Sequence, residues 1–361
     1  MDLSRYFSRD YPEARRRFRA LCESRGLAIT TFDHPERGPD GGALATDVAR
    51  IGPADAEQVL LVISGTHGVE GFGGSGCQLG LLDNDVFDRL AAGTAVVLVH
   101  AINPYGFAWW QRLTEGHVDL NRNFVDFSKP LPQNPEYDLL DPYLIPRELT
   151  GPVREAADAR IKAYIAEKGH MAFQTALGRG QYSHPDGVFF GGTEPSWSRR
   201  THEAIAAQFL GSAKRVALID LHTGLGPYGY GEVLCFHAPG SAAQQRARAW
   251  YGDSMTEPRA GGSVSSDLDG TTYDGYERLL AGKDYTLVAL EFGTRPFLVG
   301  FEALRAEGWL KRYGQKTGPE ADRIRRQSRD FFYVEKVDWQ EMVLFRAGQV
   351  VRQALAGLSA R

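Results

Sequence analysis

Two potential metal ligands lie three residues apart in the sequence, directly after an apolar run. His67 and Glu70 enclose Gly68 and Val69, and the apolar run covers residues 59–63. An apolar run followed at once by glycines is typical of a buried strand that ends in a tight loop. An imidazole and a carboxylate at this spacing can bind one ion from a loop or a first helical turn. The stretch is therefore a candidate metal site that still needs a third ligand.

A third ligand is available at the end of another apolar run. His222 follows residues 216–221, and with His67 and Glu70 it completes two histidines and one carboxylate, a ligand set of catalytic zinc sites. Three protein ligands leave a position for water, whose pKa zinc lowers to about 7. Asp220, two residues before His222, lies on the same side of the strand end. Its carboxylate can accept the imidazole N–H that points away from the metal.

Four further residues have side chains that suit amide hydrolysis. Glu291 ends an apolar run, and a carboxylate there is costly to bury unless it is paired or takes part in a reaction, so we expect it to act as general base and then as general acid. Arg122 can bind a carboxylate through two hydrogen bonds, and Asn121 can donate beside it. Arg112 can polarise a scissile carbonyl and stabilise the developing oxyanion.

The elements that must position these residues are four apolar runs of strand length. They cover residues 59–63, 95–100, 216–221 and 285–290, and segments long enough for helices separate them. Near-continuous apolar strands are typical of a largely parallel sheet that is covered on both faces. Open α/β sheets bind their ligands at the carboxyl ends of the strands, so we expect the polar residues that follow the four runs to meet.

The ordered motifs resemble those of the zinc carboxypeptidase superfamily. This superfamily comprises the carboxypeptidase A-like metallopeptidases and also includes succinylglutamate desuccinylase and aspartoacylase; the sequence looks most like an uncharacterised bacterial branch. The resemblance covers residues 60–294. Its motifs are Gly65-Thr66-His67-Gly68-Val69-Glu70, Asn103-Pro104-Tyr105-Gly106, Arg112, Asp119-Leu120-Asn121-Arg122-Asn123, Asp220-Leu221-His222 and Leu290-Glu291-Phe292-Gly293. The tyrosine in the second motif replaces the aspartate that is usual in the family.

The resemblance implies a fold, a cofactor and roles for the site residues. The fold would be α/β, with a mixed, mostly parallel eight-stranded sheet covered by helices on both faces. One zinc ion would be held by His67, Glu70 and His222, with Glu291 as the catalytic glutamate, Arg112 as the oxyanion stabiliser, and Asn121 and Arg122 binding the terminal carboxylate. Peptidases of the family also place a mobile tyrosine before the glutamate. Tyr273 is our candidate for substrate binding, and Tyr276 is the alternative, in or just after a Gly/Asp-rich loop at residues 261–275.

The chain is expected to form a single catalytic domain over residues 1–361. Its core would cover about 43–126 and 216–303, with a long insertion at about 127–215 before the third zinc ligand and C-terminal helices at about 304–358. The insertion has no counterpart in the digestive enzymes. It can wall the cleft, set the size of the substrate or mediate assembly, and its His184 is expected to be a hydrogen-bonded loop residue.

Composition narrows the possible partners and the compartment. The formal net charge of −4 offers no basic face for nucleic acid, and no run of eighteen apolar residues indicates a membrane span. Three widely spaced cysteines and an N-terminus without a secretory pattern favour a cytoplasmic protein.

The sequence therefore predicts a zinc metallohydrolase of the metallopeptidase type. We expect it to cleave an amide bond next to a free carboxylate, as a carboxypeptidase acting on a small peptide-like substrate. One alternative is an amidohydrolase of the deacylase or desuccinylase type, which acts on N-acyl amino acids and would share the same motifs. Another alternative is a non-catalytic binding module of the same fold.

Overall fold

The central feature of the fold is one mixed β-sheet. The computed structural model describes residue 3 and residues 5–258 and 268–360, and this part of the chain contains eight strands in a single sheet. The strands are β1 (Ile29–Arg37), β2 (Ala43–Ile51), β3 (Gln58–Ser64), β4 (Thr94–His100), β5 (Arg215–Gly224), β6 (Gly231–Leu234), β7 (Met255–Thr256) and β8 (Asp284–Gly293). Their spatial order is β1-β2-β4-β3-β5-β8-β6-β7. Neighbours are parallel at β4/β3, β3/β5, β5/β8 and β6/β7 and antiparallel at the other three pairs.

Twelve α-helices accompany the sheet within the described residues. They are α1 (Tyr11–Ser24), α2 (Gly71–Asp83), α3 (Pro104–Ala108), α4 (Pro135–Leu144), α5 (Pro152–Lys168), α6 (His170–Gly178), α7 (Trp197–Phe209), α8 (Ala242–Tyr251), α9 (Thr272–Leu279), α10 (Phe297–Arg312), α11 (Pro319–Phe332) and α12 (Val337–Ser359). Side chains of β3 alternate between two apolar clusters: Leu60 and Val62 pack with α1, α2 and α12, whereas Leu61 and Ile63 pack with α7 and α9. Both faces of the sheet are therefore covered, which confirms the predicted fold class.

The four apolar runs of the sequence are neighbouring strands in the middle of the sheet. They form β4, β3, β5 and β8, all parallel to one another, and the register pairs Ser64 with Leu221 and His222 with Glu291. The carboxyl ends of these strands consequently lie side by side. The polar residues that follow them share one edge of the sheet, as predicted.

Three helices of the segment between β4 and β5, namely α4, α5 and α6, pack against α10. Two of these helices, α5 and α6, are separated by Gly169 at a φ of 91°. Glycine tolerates this left-handed conformation, which ends the first helix. A third apolar cluster joins Phe173 and Leu177 of α6 to Phe301 of α10.

The sequence predicted some of the elements after β5 and missed others. The C-terminal helices expected at about 304–358 are α10, α11 and α12, and α10 begins at Phe297, seven residues before 304. The sequence did not indicate β6, β7 or α8, which complete the edge beyond β8. None of the helices in the described residues has both the length and the apolar character needed to cross a bilayer.

Candidate metal centre

The loop that follows β3 is held against the turn at the start of α3. A Cβ atom on Gly68 would lie 2.2 Å from the carbonyl carbon of Gly106, so only glycine permits this approach. The backbone N–H of Gly68 donates to the carbonyl oxygen of Arg112 at 3.0 Å, and that of Val69 donates to the carbonyl oxygen of Gln111 at 3.0 Å. These bonds fix the positions of the side chains that the loop carries.

The structure brings the three predicted metal ligands together. His67 Nδ1 lies 2.7 Å from Glu70 Oε1, and His222 Nδ1 lies 3.1 Å from Glu70 Oε2. One ligand atom from each residue lies within 4.8 Å of the others, and all three side chains are buried. The carboxylate of Glu70 thus stands between two imidazole nitrogens, and one ion could contact all three groups.

The second nitrogen of each imidazole contacts a carboxylate. His67 Nε2 lies 3.1 Å from Asp119 Oδ1, and His222 Nε2 lies 3.0 Å from Asp220 Oδ2. The hydroxyl of Thr66 donates to the other oxygen of Asp220 at 2.8 Å. Carboxylates behind histidine ligands set the tautomer and the orientation of the ring, and Asp220 does this for His222, whose Nδ1 is then available to a metal. The expected contact of Asp220 is therefore present. His67 Nε2 lies between Asp119 and the Nη2 atom of Arg112, which is 2.7 Å away, so these two residues together hold its ring in place.

The sequence analysis did not predict that Asp119 contacts His67. The residue could have been considered, because it is the first of the polar stretch that contains Asn121 and Arg122.

The charge of the centre also fits a divalent cation. Burial alone would raise the pKa of Glu70, but the charges and hydrogen bonds of His67 and His222 hold that pKa well below its ordinary value. Burial opposes ionisation of Asp119 in the same way, yet the charges of Arg112 and His67 hold its pKa low. With Asp220, three carboxylates lie around the two imidazoles, and Arg112 contacts two of them. A doubly charged cation held by neutral imidazoles would balance this surplus.

Glu291 lies in the same cavity as the metal ligands and is partly exposed to it. The backbone N–H of Leu225 donates to its Oε1 atom at 2.9 Å and orients the carboxyl group. Burial, with the nearby charge of Glu70, raises the pKa of Glu291 to about 8 in the metal-free protein. A carboxyl group whose pKa is shifted towards neutrality is suited to exchange protons with a substrate.

Arg122 is buried and is anchored by the segment that precedes β5. Its Nε and Nη2 atoms donate to the carbonyl oxygen of Gly178 at 2.9 and 2.5 Å, and its Nη1 atom donates to the carbonyl oxygen of Asn121 at 2.6 Å. The side-chain oxygen of Asn121 accepts the backbone N–H of Thr272 at 2.8 Å. Three of the five guanidinium N–H groups are used in this way, so two remain for a ligand in the cavity. The contribution of Gly178 was not foreseen from the sequence.

Arg112 reaches the metal ligands and is itself held by a buried glutamate. Its guanidinium lies 3.1 Å from Glu70 Oε1 and 3.2 Å from Asp119 Oδ2. Its backbone N–H donates to the carboxyl oxygens of Glu307 in α10 at 3.1 and 3.2 Å. The hydroxyl of Ser328 donates to the same carboxyl group. Glu307 was missed by the sequence analysis, and an acidic residue between Ala306 and Gly308 was the only local signal.

We expect Glu307 to make the protein less stable as the pH rises. Burial raises its pKa from the ordinary value of 4.5 to about 7. The folded state therefore holds a proton that the unfolded chain releases, so stability is full below pH 4.5 and is lost as the pH approaches 7. The shift is equivalent to about 3 kcal/mol. Urea unfolding between about pH 5 and about pH 8 measures this loss.

Glu307→Gln cannot ionise but keeps an acceptor for the backbone N–H of Arg112. We expect this variant to show a flatter decrease in unfolding free energy over the same pH range. Glu341→Gln, at an exposed position in α12, is the matched control and should retain the slope of the wild type. The same slope in Glu307→Gln and in the wild type would contradict the assignment.

The structure does not bring the two candidate tyrosines to the metal centre. The ring of Tyr273 packs against Phe236 and His237 in the core, and Tyr276 is fully buried with its hydroxyl 3.1 Å from His202 Nδ1. Neither is among the described residues that line the cavity. Residues 261–267 of the Gly/Asp-rich loop lie outside the described part of the chain. The arrangement therefore gives no support to substrate binding by Tyr273.

The metal ligands open onto a cavity of about 150 Å³. Every predicted site residue except Tyr273 lines this cavity, and most of the rest of its lining is apolar. The polar lining residues are His67, Glu70, Arg112, Asn121, Arg122, Gln174, His222, Thr223 and Glu291, and the apolar ones include Leu177, Phe189, Phe297, Phe301, Phe331 and Phe332. His184 lies elsewhere and contacts Asp138 at 2.9 Å, as expected for a loop residue.

The sheet, its helical layers and the buried His-Glu-His group define an α/β protein with a zinc carboxypeptidase-like fold. The chain belongs to the family described as "Protein of unknown function (DUF2817)", which matches residues 7–346. No curated protein sequence matches the chain.

Several solved structures are similar to this chain at low sequence identity. Thrombin activatable fibrinolysis inhibitor is 13% identical, with a TM-score of 0.50, and the match covers 90% of this chain and 76% of that chain. Carboxypeptidase A from Helicoverpa armigera is 14% identical, with a TM-score of 0.47 and coverage of 91% and 75%. A succinylglutamate desuccinylase from Silicibacter is 14% identical, with a TM-score of 0.39 and coverage of 81% and 68%.

Proposed function

We propose that the protein is a zinc-dependent hydrolase that cleaves an amide bond next to a free carboxylate. It acts like a carboxypeptidase on small peptide-like substrates, and residues 1–361 form a single catalytic domain. The observation that carries this proposal is the buried group of His67, Glu70 and His222, in which a carboxylate backs each imidazole. Glu291 and Arg122 line the same cavity and supply a proton-transfer group and a carboxylate-binding group.

His67, Glu70 and His222 would hold the zinc ion. When bound, zinc polarises a carbonyl group and makes water a stronger nucleophile at neutral pH. Glu291, oriented by the N–H of Leu225, accepts a proton from the attacking water and delivers it to the leaving nitrogen. A nearby divalent cation favours the ionised form of Glu291, which is the form that accepts the proton.

The two arginines bind two different groups of the substrate, the free carboxylate and the carbonyl of the amide bond. Arg122 uses its remaining N–H groups to hold the free carboxylate, and Asn121 lines the cavity beside it. Arg112 lines the cavity next to the metal ligands, and an N–H donated to the carbonyl oxygen stabilises the charge that develops there. Both side chains are fixed by protein contacts before a substrate arrives, so little ordering is needed on binding.

Metal analysis combined with a substrate panel tests this proposal. We expect the purified protein to contain zinc and to release the C-terminal amino acid from dipeptides. Amidation of the substrate carboxylate removes the partner of Arg122, and we expect kcat/KM to fall by roughly 10- to 100-fold. Equal rates on free and amidated substrates would contradict carboxylate recognition. Absence of zinc at neutral pH would favour a binding module.

We also expect Asp220→Asn to weaken zinc binding. The amide is close in size to the carboxylate but has no charge with which to polarise the His222 imidazole. Loss of such a carboxylate commonly lowers metal affinity by roughly 10- to 100-fold. Competition with a chromophoric chelator at neutral pH measures the zinc Kd. Asp338→Asn, at an exposed position in α12, is the control, and equal affinities in the two variants would contradict the assignment.

A further inference from the structure

The loop over residues 178–191, which we call the 178–191 loop, places one aromatic ring over both arginines of the cavity. The ring centroid of Phe189 lies 5.3 Å from the guanidinium carbon of Arg112 and 5.4 Å from that of Arg122. Both distances lie within the range of cation–π contacts. Phe189 therefore covers the groups proposed to hold the scissile carbonyl and the carboxylate of the substrate.

Several hydrogen bonds hold the 178–191 loop against residues 119–123, which include Asn121 and Arg122 of the cavity lining. The backbone N–H of Asp119 donates to Phe190 at 2.8 Å, the hydroxyl of Tyr182 donates to the carbonyl oxygen of Arg122 at 2.6 Å, and the side-chain amide of Asn123 donates to Gly191 at 2.8 Å. The loop and the carboxylate-binding residues form one connected unit. The position of Phe189 is thus set by the fold.

The backbone of Phe189 is strained. Its φ is 55°, in the left-handed region that glycine and asparagine adopt more readily than an aromatic residue. Strain of this kind costs on the order of 1–3 kcal/mol and is often found at functional sites. A glycine would adopt this conformation without strain, but it would lack the ring that packs against the third apolar cluster and over the two guanidinium groups. The side chain of this strained residue, Phe189, lines the cavity.

Phe332 and Phe331 extend the aromatic surface of Phe189 past Arg112, and we call these three rings the aromatic wall. The ring of Phe332 lies 5.8 Å from the guanidinium carbon of Arg112, and Phe331 packs edge-on against Phe332 at 4.7 Å. Gly300 of α10 leaves room for Phe331, since a Cβ atom there would lie 2.2 Å from that ring. Because the wall adjoins Arg112, it faces the acyl part of a substrate whose carboxylate is bound by Arg122.

The cavity between these surfaces is small. Its volume of about 150 Å³ is below the ~300–1,000 Å³ that is common for pockets binding drug-sized ligands. A substrate with a charged or polar chain extending its acyl part would have to pass this chain along the aromatic wall, where the chain would lose its hydration. A compact apolar group gains from the same surface by leaving water.

We propose that Phe189 is a specificity-determining residue. It closes the cavity over Arg112 and Arg122 and limits the substrate to one amide bond between an amino acid with a free carboxylate and a compact acyl group that presents an apolar side chain or ring to the aromatic wall. This inference rests on the proposed function and defines its substrate class. Such an acyl group can be the apolar residue of a dipeptide or an aromatic acyl group such as benzoyl, and the experiment separates these two sources.

The test measures binding in the Glu291→Gln protein loaded with zinc, so that the ligands remain intact. Titration calorimetry compares N-benzoylglycine, phenylalanylglycine and N-benzoyl-triglycine. We expect the better of the two short ligands to bind at least about tenfold more tightly than the long one. The preferred short ligand identifies the source of the acyl group, and either preference supports the substrate class.

Phe189→Gly in the same background relieves the strained φ and opens the cavity. We expect the preference for the short ligand to fall below about threefold in this variant. Phe189→Asn, which also tolerates the left-handed conformation, serves if the glycine variant does not fold. Phe345→Ala removes an exposed phenylalanine of α12 and should leave the preference unchanged.

Two results would overturn the inference. One is equal affinity for the short and long ligands, or no measurable binding of either short ligand, when Phe189 is present. The other is a preference that persists undiminished in the Phe189 variants. Failure of the proposed function is distinguishable, because it appears as absent hydrolysis by the wild type across the substrate panel while the binding preference and its dependence on Phe189 remain.

Discussion

Glu291→Gln is expected to retain zinc and to lower kcat by roughly 10²–10⁴-fold, the usual contribution of a general acid–base group. Glutamine has nearly the size of glutamate, and its amide oxygen can still accept the N–H of Leu225 at the position of Oε1. The amide cannot take a proton from water at neutral pH. Binding of the substrate and of the metal should therefore survive while proton transfer is lost.

Three measurements separate these effects. Elemental analysis gives the zinc content, steady-state kinetics gives kcat on the best substrate of the panel, and calorimetry gives the affinity for that substrate. Glu341→Gln makes the same chemical change at an exposed position in α12 and should behave as the wild type. Full activity of Glu291→Gln would rule out the mechanism. Loss of zinc from this variant would instead mean that Glu291 contributes to the metal centre.

The sequence could predict the site because its ligands follow buried parallel strands. Such strands are apolar along their whole length, so a polar residue at the end of each run stands out. The neighbouring order β4, β3, β5 and β8 then brings His67, His222 and Glu291 to one edge of the sheet. Period-two alternation along β5 also predicted the contact of Asp220 with His222. These inferences need only local pattern and the general geometry of parallel sheets.

Contacts between distant elements could not be predicted in the same way. Glu307 reaches the backbone of Arg112 across 195 residues, and Gly178 accepts the guanidinium of Arg122 across 56 residues. Neither spacing reflects a local period, because tertiary packing alone sets these contacts. Strands β6 and β7 have four and two residues, which is too short for a pattern to be recognised.

The helical spacing of Tyr273 and Tyr276 already indicates that both rings pack on the core. Tyr273 and Tyr276 are three residues apart, so they share one face of α9. An apolar face of this kind usually packs on the core, and both rings do so here. Proximity in sequence to a Gly/Asp-rich loop had favoured a role in the cleft. Helical periodicity was the better guide.

His222→Ala is expected to lose zinc and all measurable turnover. The change removes one of three ligands and leaves Glu70 and Asp220 without the imidazole that joins them in the buried centre. Glu70 keeps His67 and Arg112 and Asp220 keeps the hydroxyl of Thr66, but each carboxylate loses a buried partner, so we also expect a destabilisation of roughly 3–5 kcal/mol. Zinc analysis, kinetics and urea unfolding measure the three effects.

His184→Ala is the matched control for this substitution, because His184 contacts the carboxylates of Asp138 and Asp141 and lies outside the cavity. It should retain zinc and turnover. If His222→Ala retained zinc with wild-type affinity, His222 would not be a ligand. The Glu291→Gln and His222→Ala variants together distinguish a proton-transfer residue from a metal ligand, since only the second is expected to empty the centre.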